Sequence, residues 1–219
     1  MSNLLAVVAT VVSSFLSAER KPRVVSAEES LSFPRLAAAL GELKPVPGRM
    51  QIVSAEGEVS DISVVVDYAH TPDGLRSALL GLREHFSGEL TCLFGAGGNR
   101  DVGKRPLMGE VAERYADTVI LTDDNPRTED GDAIIDQIRS GFIQPGIVTK
   151  IRNRAEAIAT VIDAAKPGAV ILIAGKGHED YQEINGQRQP FSDIEHARAA
   201  LVKRRSSEKF RGSIQRDAT

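Results

Sequence analysis

The stretch 169-AVILIA-174 is apolar at every position, as expected for a β-strand whose sheet is covered on both faces. A second run, 62-ISVVVD-67, has three consecutive valines and also predicts a strand. Apolar runs at 90–95 and 118–122 predict further strands, while 72–86 carries its leucines at helical spacing. Strands that alternate with helices in this way predict an α/β fold, with a mostly parallel sheet and helices on both faces.

The predicted elements of this fold extend from residue 50 to residue 204. Strands are predicted at 50–54, 62–67, 90–95, 118–122, 147–151 and 169–174. Helices are predicted at 72–86, 106–115, 132–142, 154–165 and 193–204. The Asn185-Gly186 dipeptide predicts a β-hairpin between 181–184 and 188–190, because both residues suit the backbone of a two-residue turn.

Two further segments flank this region. Upstream, helices are predicted at 1–18 and 34–43, and the second is closed by the break Pro45-Val46-Pro47-Gly48. Downstream, the sequence is basic and polar without apolar periodicity, which predicts a disordered tail. We therefore divide the chain into an N-terminal segment (1–44), a main domain (45–204) and a tail (205–219).

The composition is that of an ordinary globular protein, with 42% hydrophobic and 26% charged residues. The net charge of −3 gives no electrostatic argument for a nucleic-acid or membrane partner. The apolar stretch 4–16 is too short to span a bilayer, which needs about 20 apolar residues, and it lacks the basic start of a signal peptide. Cys92, the only cysteine, lies in an apolar run that predicts a buried, unreactive thiol. Together these features predict a cytoplasmic protein without disulfides.

Four loops that follow predicted strands carry most of the polar chemistry of the chain. They are loop 1 (67–72), loop 2 (95–106), loop 3 (123–128) and loop 4 (175–180). In open α/β sheets, ligands bind beyond the carboxyl ends of the strands, where such loops meet. The four loops are therefore the candidate functional region.

Loops 1 and 2 could bind a hydroxyl group and an anion. In loop 1, Asp67 could accept hydrogen bonds from a ribose and His70 could donate to a phosphate or carboxylate. Equally, Asp67 could cap the next helix while His70 packs locally. Loop 2 combines glycines with Arg100, Lys104 and Arg105, which predicts an anion site. Neither a Walker A nor a GxGxxG motif is present, so no triphosphate-cradling loop is recognisable.

Loops 3 and 4 contain groups of both charges. Arg127 can bind a carboxylate through two parallel hydrogen bonds, although it could also be a solvated residue of a turn. In loop 4, the glycine carbonyls and the Glu179 carboxylate suit an ammonium group. Arg100 and Arg127 on one side, with Asp124 and Glu179 on the other, predict a pocket for a zwitterionic amino acid. The residue types alone leave the reaction open.

The same loops carry a family resemblance. The motifs are Val46-Pro47-Gly48-Arg49-Met50, DYAHTP (67–72), FGAGGNRDVGKRP (94–106), TDDNPRTED (122–130) and AGKGHEDYQ (174–182). In this order they resemble the C-terminal domain of the Mur ligases, the UDP-N-acetylmuramoyl-tripeptide synthetases, from Val46 to about Leu201. The resemblance implies a Rossmann-like sheet. The run Asp124-Asn125-Pro126-Arg127 resembles the type that adds meso-diaminopimelate, because lysine-adding relatives usually lack this arginine.

The resemblance implies two sets of site residues. Those for meso-diaminopimelate are Arg100, Asp124, Asn125, Pro126, Arg127, Gly175 and Glu179. Those that reach towards ATP are Asn3, Arg49, Asp67, His70 and Lys104. In the implied reaction, ATP converts the precursor UDP-N-acetylmuramoyl-L-alanyl-D-glutamate to an acyl phosphate, which the amine of the amino acid attacks. This domain would contribute orientation and closure, and no catalytic residue.

A complete member of the family also has a UDP-sugar domain and a central ATPase domain. The phosphate loop of that central domain does not occur in this sequence. The resemblance therefore implies ATP and Mg²⁺ for the complete enzyme and neither for this chain alone. Residues 1–44 are expected to be a helical remnant of the central domain, with an apolar face that a missing portion would cover. Three hypotheses follow: the part of a ligase that chooses the amino acid, a binding module without catalysis, or a remnant that only folds.

Overall fold

A computed structural model describes residues 46–54 and 60–216. The strands are β1 (Gln51–Val53), β2 (Ser63–Asp67), β3 (Leu90–Phe94), β4 (Thr118–Leu121), β5 (Val148–Lys150), β6 (Val170–Ala174), β7 (Tyr181–Ile184) and β8 (Gln187–Pro190). The helices are α1 (Pro72–His85), α2 (Lys104–Tyr115), α3 (Gly131–Arg139), α4 (Arg154–Ala164) and α5 (Asp193–Arg216), with a short 3₁₀ turn at Pro145–Ile147. The helices predicted at 1–18 and 34–43 and the predicted ATP contact Asn3 lie outside the described residues.

Six of the described strands form one sheet in the order β1-β2-β6-β3-β4-β5. Within this six-stranded sheet, β1 runs antiparallel to its neighbour and the other pairs are parallel; β7 and β8 form a separate antiparallel pair, the predicted hairpin. The predicted α/β architecture with a mostly parallel sheet is thus confirmed. The apolar strand β6 lies between β2 and β3, and all five of its residues are buried. Its composition follows from this central place, because both of its faces are covered.

Helices cover the two faces of the sheet in two groups. On one face, α1, α2 and α3 pack on strand residues such as Val65 and Leu172. On the other face, α4 and α5 pack on the alternate residues, such as Val64 and Ile171. The connection through α4 returns from the edge strand β5 to the central strand β6, opposite to the earlier crossovers. A right-handed crossover in the reverse direction puts its helix on the opposite face.

Helix boundaries follow local capping chemistry. The hydroxyl of Thr71 accepts a hydrogen bond from Gly74 N at the start of α1 (3.2 Å). Asp67 therefore does not cap α1, and that alternative is wrong.

Helix α3 ends at Arg139, earlier than predicted. There Gly141 passes so close to α2 that an added Cβ would lie 1.9 Å from Pro106 O, so the chain must leave the helix.

Helix α5 continues to Arg216, past its predicted end at residue 204. The segment 205–216, which we predicted as part of a disordered tail, is helical in the structure. It contains no proline, and its Lys, Arg, Glu and Gln residues have good helix propensity. Low hydrophobicity alone was therefore a poor guide to the end of this helix.

Two observations bear on the compositional predictions. Cys92 is fully buried in β3, and burial raises the pKa of its thiol far above the ordinary range. The predicted burial of Cys92 is thus confirmed, and a raised thiol pKa favours the unreactive form. Among the described residues, no helix has the length and apolar character needed to cross a membrane.

A buried ion pair joins the starts of the two helices on the second face. Arg154, the first residue of α4, donates to both carboxylate oxygens of Asp193, the first residue of α5, at 2.7 and 2.8 Å. Its Nη2 also donates to Ala174 O at the end of β6 (2.9 Å). Both side chains of the pair are fully buried. Although burial opposes the charge, Asp193 holds the pKa of Arg154 above its ordinary value.

We expect Arg154→Met to lower the free energy of unfolding by about 3–5 kcal/mol, because it leaves the buried Asp193 carboxylate without its partner. The measurement is urea unfolding followed by circular dichroism. The matched control is Lys166→Met, whose ammonium pairs with Glu89 at 3.0 Å but is 80% exposed. We expect that control to cost below about 1 kcal/mol. Equal losses in the two variants would contradict a stabilising role for the buried pair.

Candidate functional site

The four loops lie side by side at the carboxyl end of the parallel strands, which we call the carboxyl edge of the sheet. Strands β2, β6, β3 and β4 are neighbours and run parallel, so their carboxyl ends point the same way. Along this carboxyl edge, the loops therefore follow in the order loop 1, loop 4, loop 2 and loop 3. Open α/β sheets bind their ligands beyond the carboxyl ends of their strands.

Asn125 of loop 3 is the centre of a hydrogen-bond network at this edge. Its Oδ1 accepts from Glu183 N at 2.9 Å and from Lys176 Nζ at 3.0 Å. Its Nδ2 donates to Glu179 Oε2 at 2.9 Å. The same Glu179 oxygen lies 3.2 Å from Lys176 Nζ. Asn125 and Lys176 are buried, and the network joins loop 3 to loop 4 and to β7.

Arg127 connects loop 3 to loop 2 and to the β-hairpin. Its Nη1 donates to Gly98 O at 2.7 Å, and its Nε lies 3.8 Å from the Glu183 carboxylate. Its backbone is left-handed (φ 54°) and pairs with Ile184 in an isolated β-bridge. The side chain is 21% exposed, so the alternative of a solvated turn residue is wrong. A positive φ in an arginine is strained, and these contacts hold it.

Asp124 and Gly175 lie against each other across loops 3 and 4. Asp124 is buried, and a Cβ added to Gly175 would lie 2.5 Å from its Oδ2. Gly175 has φ +116°, which other residues rarely adopt. The backbone of Asp124 is held by Gln182 Nε2, which donates to its carbonyl at 2.8 Å. The carboxylate of Asp124 therefore faces the Gly175 backbone at close range.

The three basic residues of loop 2 have three different surroundings. Arg100 is exposed and has no hydrogen bond to any residue that the structure describes. Lys104 donates to His70 O at 2.8 Å, and partial burial lowers its pKa. Arg105 is fully buried and forms two hydrogen bonds with Glu129, at 2.8 and 3.0 Å. The prediction that Arg105 contributes to an anion site is therefore wrong, because its charge is already paired inside the protein.

Loop 1 holds a second group of predicted site residues. Asp67 accepts from Met50 N and from Ala69 N, each at 2.8 Å, so it fixes the backbone beside Arg49. The guanidinium of Arg49 lies 4.5 Å from the centre of the Tyr68 ring. His70 bonds to the backbone and contacts the same ring, so local packing, which we kept as an alternative, is what the structure has for His70.

The predicted residues thus fall into two groups within the described part of the chain. Asp124, Asn125, Pro126, Arg127, Gly175 and Glu179 lie in loops 3 and 4, with Arg100 in loop 2. Arg49, Asp67, His70 and Lys104 lie at loop 1 and its neighbours. Sequence reasoning missed the roles of Lys176, Gln182 and Glu183. Lys176 lies inside the AGKGHEDYQ motif (174–182), and a lysine two residues beyond an apolar strand was the one available signal. The described residues include no group of three His, Cys, Asp or Glu side chains that could hold a metal.

Glu129 gives the loops a pH dependence. The hydrogen bond from Arg105 and then that from Asn99 N lower its pKa below the ordinary value of 4.5. Its stabilising contribution is therefore complete above that value and is lost as pH falls through the lower pKa of the folded state. Wild-type stability should fall more steeply between about pH 5 and about pH 3 than that of Glu129→Gln.

Urea midpoints at stepped pH measure this difference. The control is Glu110→Gln, which changes an exposed glutamate of α2 and should keep the wild-type slope. A wild-type slope in Glu129→Gln would remove the Arg105–Glu129 pair as the cause.

Comparison with known proteins gives matches of sequence and structure. The family model described as "Mur ligase, glutamate ligase domain" matches residues 48–177. A UDP-N-acetylmuramoyl-L-alanyl-D-glutamate–2,6-diaminopimelate ligase from Pseudomonas putida is 48% identical, over 92% of this chain and 37% of that protein. The protein of the same name from Pseudomonas aeruginosa is 56% identical, over 74% of this chain and 33% of that protein. The chain thus spans about a third of these relatives.

A solved structure of a ligase with that name superposes with a TM-score of 0.68 at 42% identity, over 81% of this chain and 36% of the other. A UDP-N-acetylmuramate-alanine ligase from Thermotoga maritima has a TM-score of 0.54 at 20% identity and shares the fold. The family model covers more than half of the chain, including loops 1, 2 and 3 and the start of loop 4. The resemblance seen in the motifs is confirmed, and the chain belongs to the Mur ligase family through its glutamate ligase domain.

Proposed function

We propose that this chain binds and selects meso-diaminopimelate for a ligase that joins it to UDP-N-acetylmuramoyl-L-alanyl-D-glutamate. The relatives that carry this name support the reaction class. The observation that carries the proposal is the meeting of groups of opposite charge from loops 3 and 4: the buried Asn125 amide donates to the Glu179 carboxylate, and Arg127 of the same loop is held by Gly98 O. Such an arrangement suits a ligand with both ammonium and carboxylate groups, as a diamino diacid has.

The carboxylate of the distal amino-acid centre would bind to Arg127, Arg100 and Asn125. The Nη1 of Arg127 already donates to Gly98 O, so the guanidinium is held in one orientation. A fixed planar fork is well suited to a carboxylate, which it can bind with two hydrogen bonds. Arg100 is exposed and free of described partners, so it can move to the ligand. Asn125 Nδ2 has a second hydrogen besides the one donated to Glu179.

The ammonium group of the same centre would bind to acceptors on the opposite side. These are the Glu179 carboxylate, the Gly175 carbonyl and the buried Asp124 carboxylate, which lies against Gly175. Pro126, between Asn125 and Arg127, has no N–H and stiffens the loop that presents both side chains. L-lysine has the distal ammonium but no distal carboxylate. We therefore infer that the arginines, rather than the acidic groups, determine the choice of amino acid.

Loop 1 and its neighbours would face ATP in the complete ligase. Arg49 and Lys104 supply positive charges that suit phosphate oxygens, and His70 supplies a ring nitrogen. Asp67 would act through the backbone of Met50, which it holds beside Arg49. We propose ATP and Mg²⁺ as requirements of the complete ligase, in the cytoplasm. The portion of the ligase that carries the phosphate-loop domain would then be the partner of the domain described here.

The test is isothermal titration calorimetry of the chain with meso-diaminopimelate and with L-lysine. We expect selective binding of meso-diaminopimelate, and about a 10- to 100-fold loss of affinity in Arg127→Ala, because a hydrogen-bonded charge pair contributes about 1.5–3 kcal/mol. Affinity for L-lysine should change little, so the preference should shrink.

The matched control is Arg188→Ala. Arg188 also lies near the Glu183 carboxylate (3.6 Å), but its side chain is 65% exposed and lies over the Tyr181 ring. We expect it to keep wild-type affinity. An unchanged preference in Arg127→Ala would remove Arg127 from the pocket. Absence of wild-type binding to either amino acid would contradict the proposal that this chain alone holds the substrate.

A further inference from the structure

Lys176 is a buried cation for which the proposed function gives no role. Its side chain is fully buried in loop 4, directly after the central strand β6. Its ammonium lies 3.0 Å from Asn125 Oδ1, 3.2 Å from Glu179 Oε2 and 5.5 Å from the centre of the Tyr181 ring. A buried ammonium group is costly unless it is paired. Its partners here are two residues of the proposed amino-acid pocket.

The ammonium fixes the direction of the Asn125 amide. Asn125 Oδ1 accepts from two groups that can only donate, Lys176 Nζ and Glu183 N. A flipped amide would bring its NH₂ group against both donors and its oxygen against the Glu179 carboxylate. Each of the three favourable contacts would then become repulsive. With Lys176 present, Asn125 must turn its NH₂ group towards Glu179 and the pocket.

The ammonium also fixes one of the two oxygens of Glu179. Glu179 Oε2 receives hydrogens from both Lys176 and Asn125. No described residue donates to Oε1, and 22% of the side chain is exposed. The carboxylate therefore keeps one anchored oxygen and one oxygen that is open to a ligand.

We propose that Lys176 is a positioning residue for amino-acid selection, which fixes Asn125 as a donor to a ligand carboxylate and leaves Glu179 Oε1 as an acceptor for a ligand ammonium. This proposal rests on the proposed function, because it assumes that the pocket binds a diamino diacid. Lys176 itself does not touch the ligand. It acts through two residues that do.

The test is Lys176→Met, which keeps an unbranched side chain of similar length and removes the charge. We expect calorimetry to give at least a tenfold loss of affinity for meso-diaminopimelate, together with a smaller preference over L-lysine. In an Asn125→Ala background, the same substitution should have a much smaller effect, because the residue through which Lys176 acts is already gone. Lys166→Met, at an exposed lysine, is the matched control and should bind as wild type.

If Lys176 only stabilised the fold, the variants would give different results. Lys176→Met would then lower the melting temperature but leave affinity and preference unchanged at temperatures where it is folded, or its effect would add fully to that of Asn125→Ala. Either result would overturn the proposal.

A second measurement needs neither a variant nor a ligand. In nitrogen-15 NMR spectra of the wild-type chain, the side-chain NH₂ of Asn125 should exchange slowly with solvent and show no close contact with the backbone N–H of Glu183. A strong contact between these hydrogens would mean a flipped amide and would overturn the inference. If wild type does not bind meso-diaminopimelate, the proposed function fails, and the ligand-free spectrum still decides whether Asn125 has the orientation that contact with Lys176 requires.

Discussion

The site depends on the buried guanidinium of Arg154. Besides its pair with Asp193, this side chain donates to Ala174 O, directly before loop 4, and lies 3.5 Å from Asp123 O, at the start of loop 3. One residue thus holds the starts of two loops and of two helices at fixed distances. A guanidinium can do this because its five N–H groups form a rigid, planar set of donors. Loops 3 and 4 carry most of the proposed amino-acid pocket, so its geometry depends on this contact.

Other charged groups tie the remaining loops to this frame. Arg105 joins loop 2 to Glu129 beyond loop 3, and Lys104 joins the same loop to loop 1. The backbone at Gly48 also packs closely on loop 4, since a Cβ on Gly48 would lie 2.1 Å from His178 N. Only glycine allows that approach. The loops that carry the proposed pocket and those that carry the proposed ATP-facing residues are therefore in direct contact with one another.

Much of the fold could be predicted from the sequence, because long apolar runs such as 169–174 have few alternatives to a buried strand. Every predicted strand and helix between residues 50 and 204 is present, and apart from the end of α5 the ends are shifted by a few residues. The end of α5 was missed because a polar segment can be helical without an apolar stripe. The position of the four loops beside one another was also predictable, because parallel neighbouring strands have their carboxyl ends on the same side of the sheet.

Side-chain partners were the harder problem. Arg105 looked like a ligand group because it follows a glycine-rich loop, but its partner Glu129 lies far along the chain. The roles of Lys176 and Gln182 depend on contacts with loop 3, more than fifty residues away in sequence. Such pairs form through tertiary packing, and no local sequence pattern predicts them. The motifs predicted where the site lies, but only the contacts in the structure distinguish buried residues that hold the loops from residues that are open to a ligand.

The network around Asn125 implies that the proposed pocket is pre-organised. Its amide and the anchored Glu179 oxygen already have their partners without an amino acid bound, so the entropy of ordering them is lost on folding rather than on binding. In the proposed function, the groups that recognise the amino acid therefore have their orientation before any ligand binds. In the proposed function, substitutions in loops 3 and 4 would then change the choice of amino acid without altering the residues of loop 1 that are proposed to face ATP.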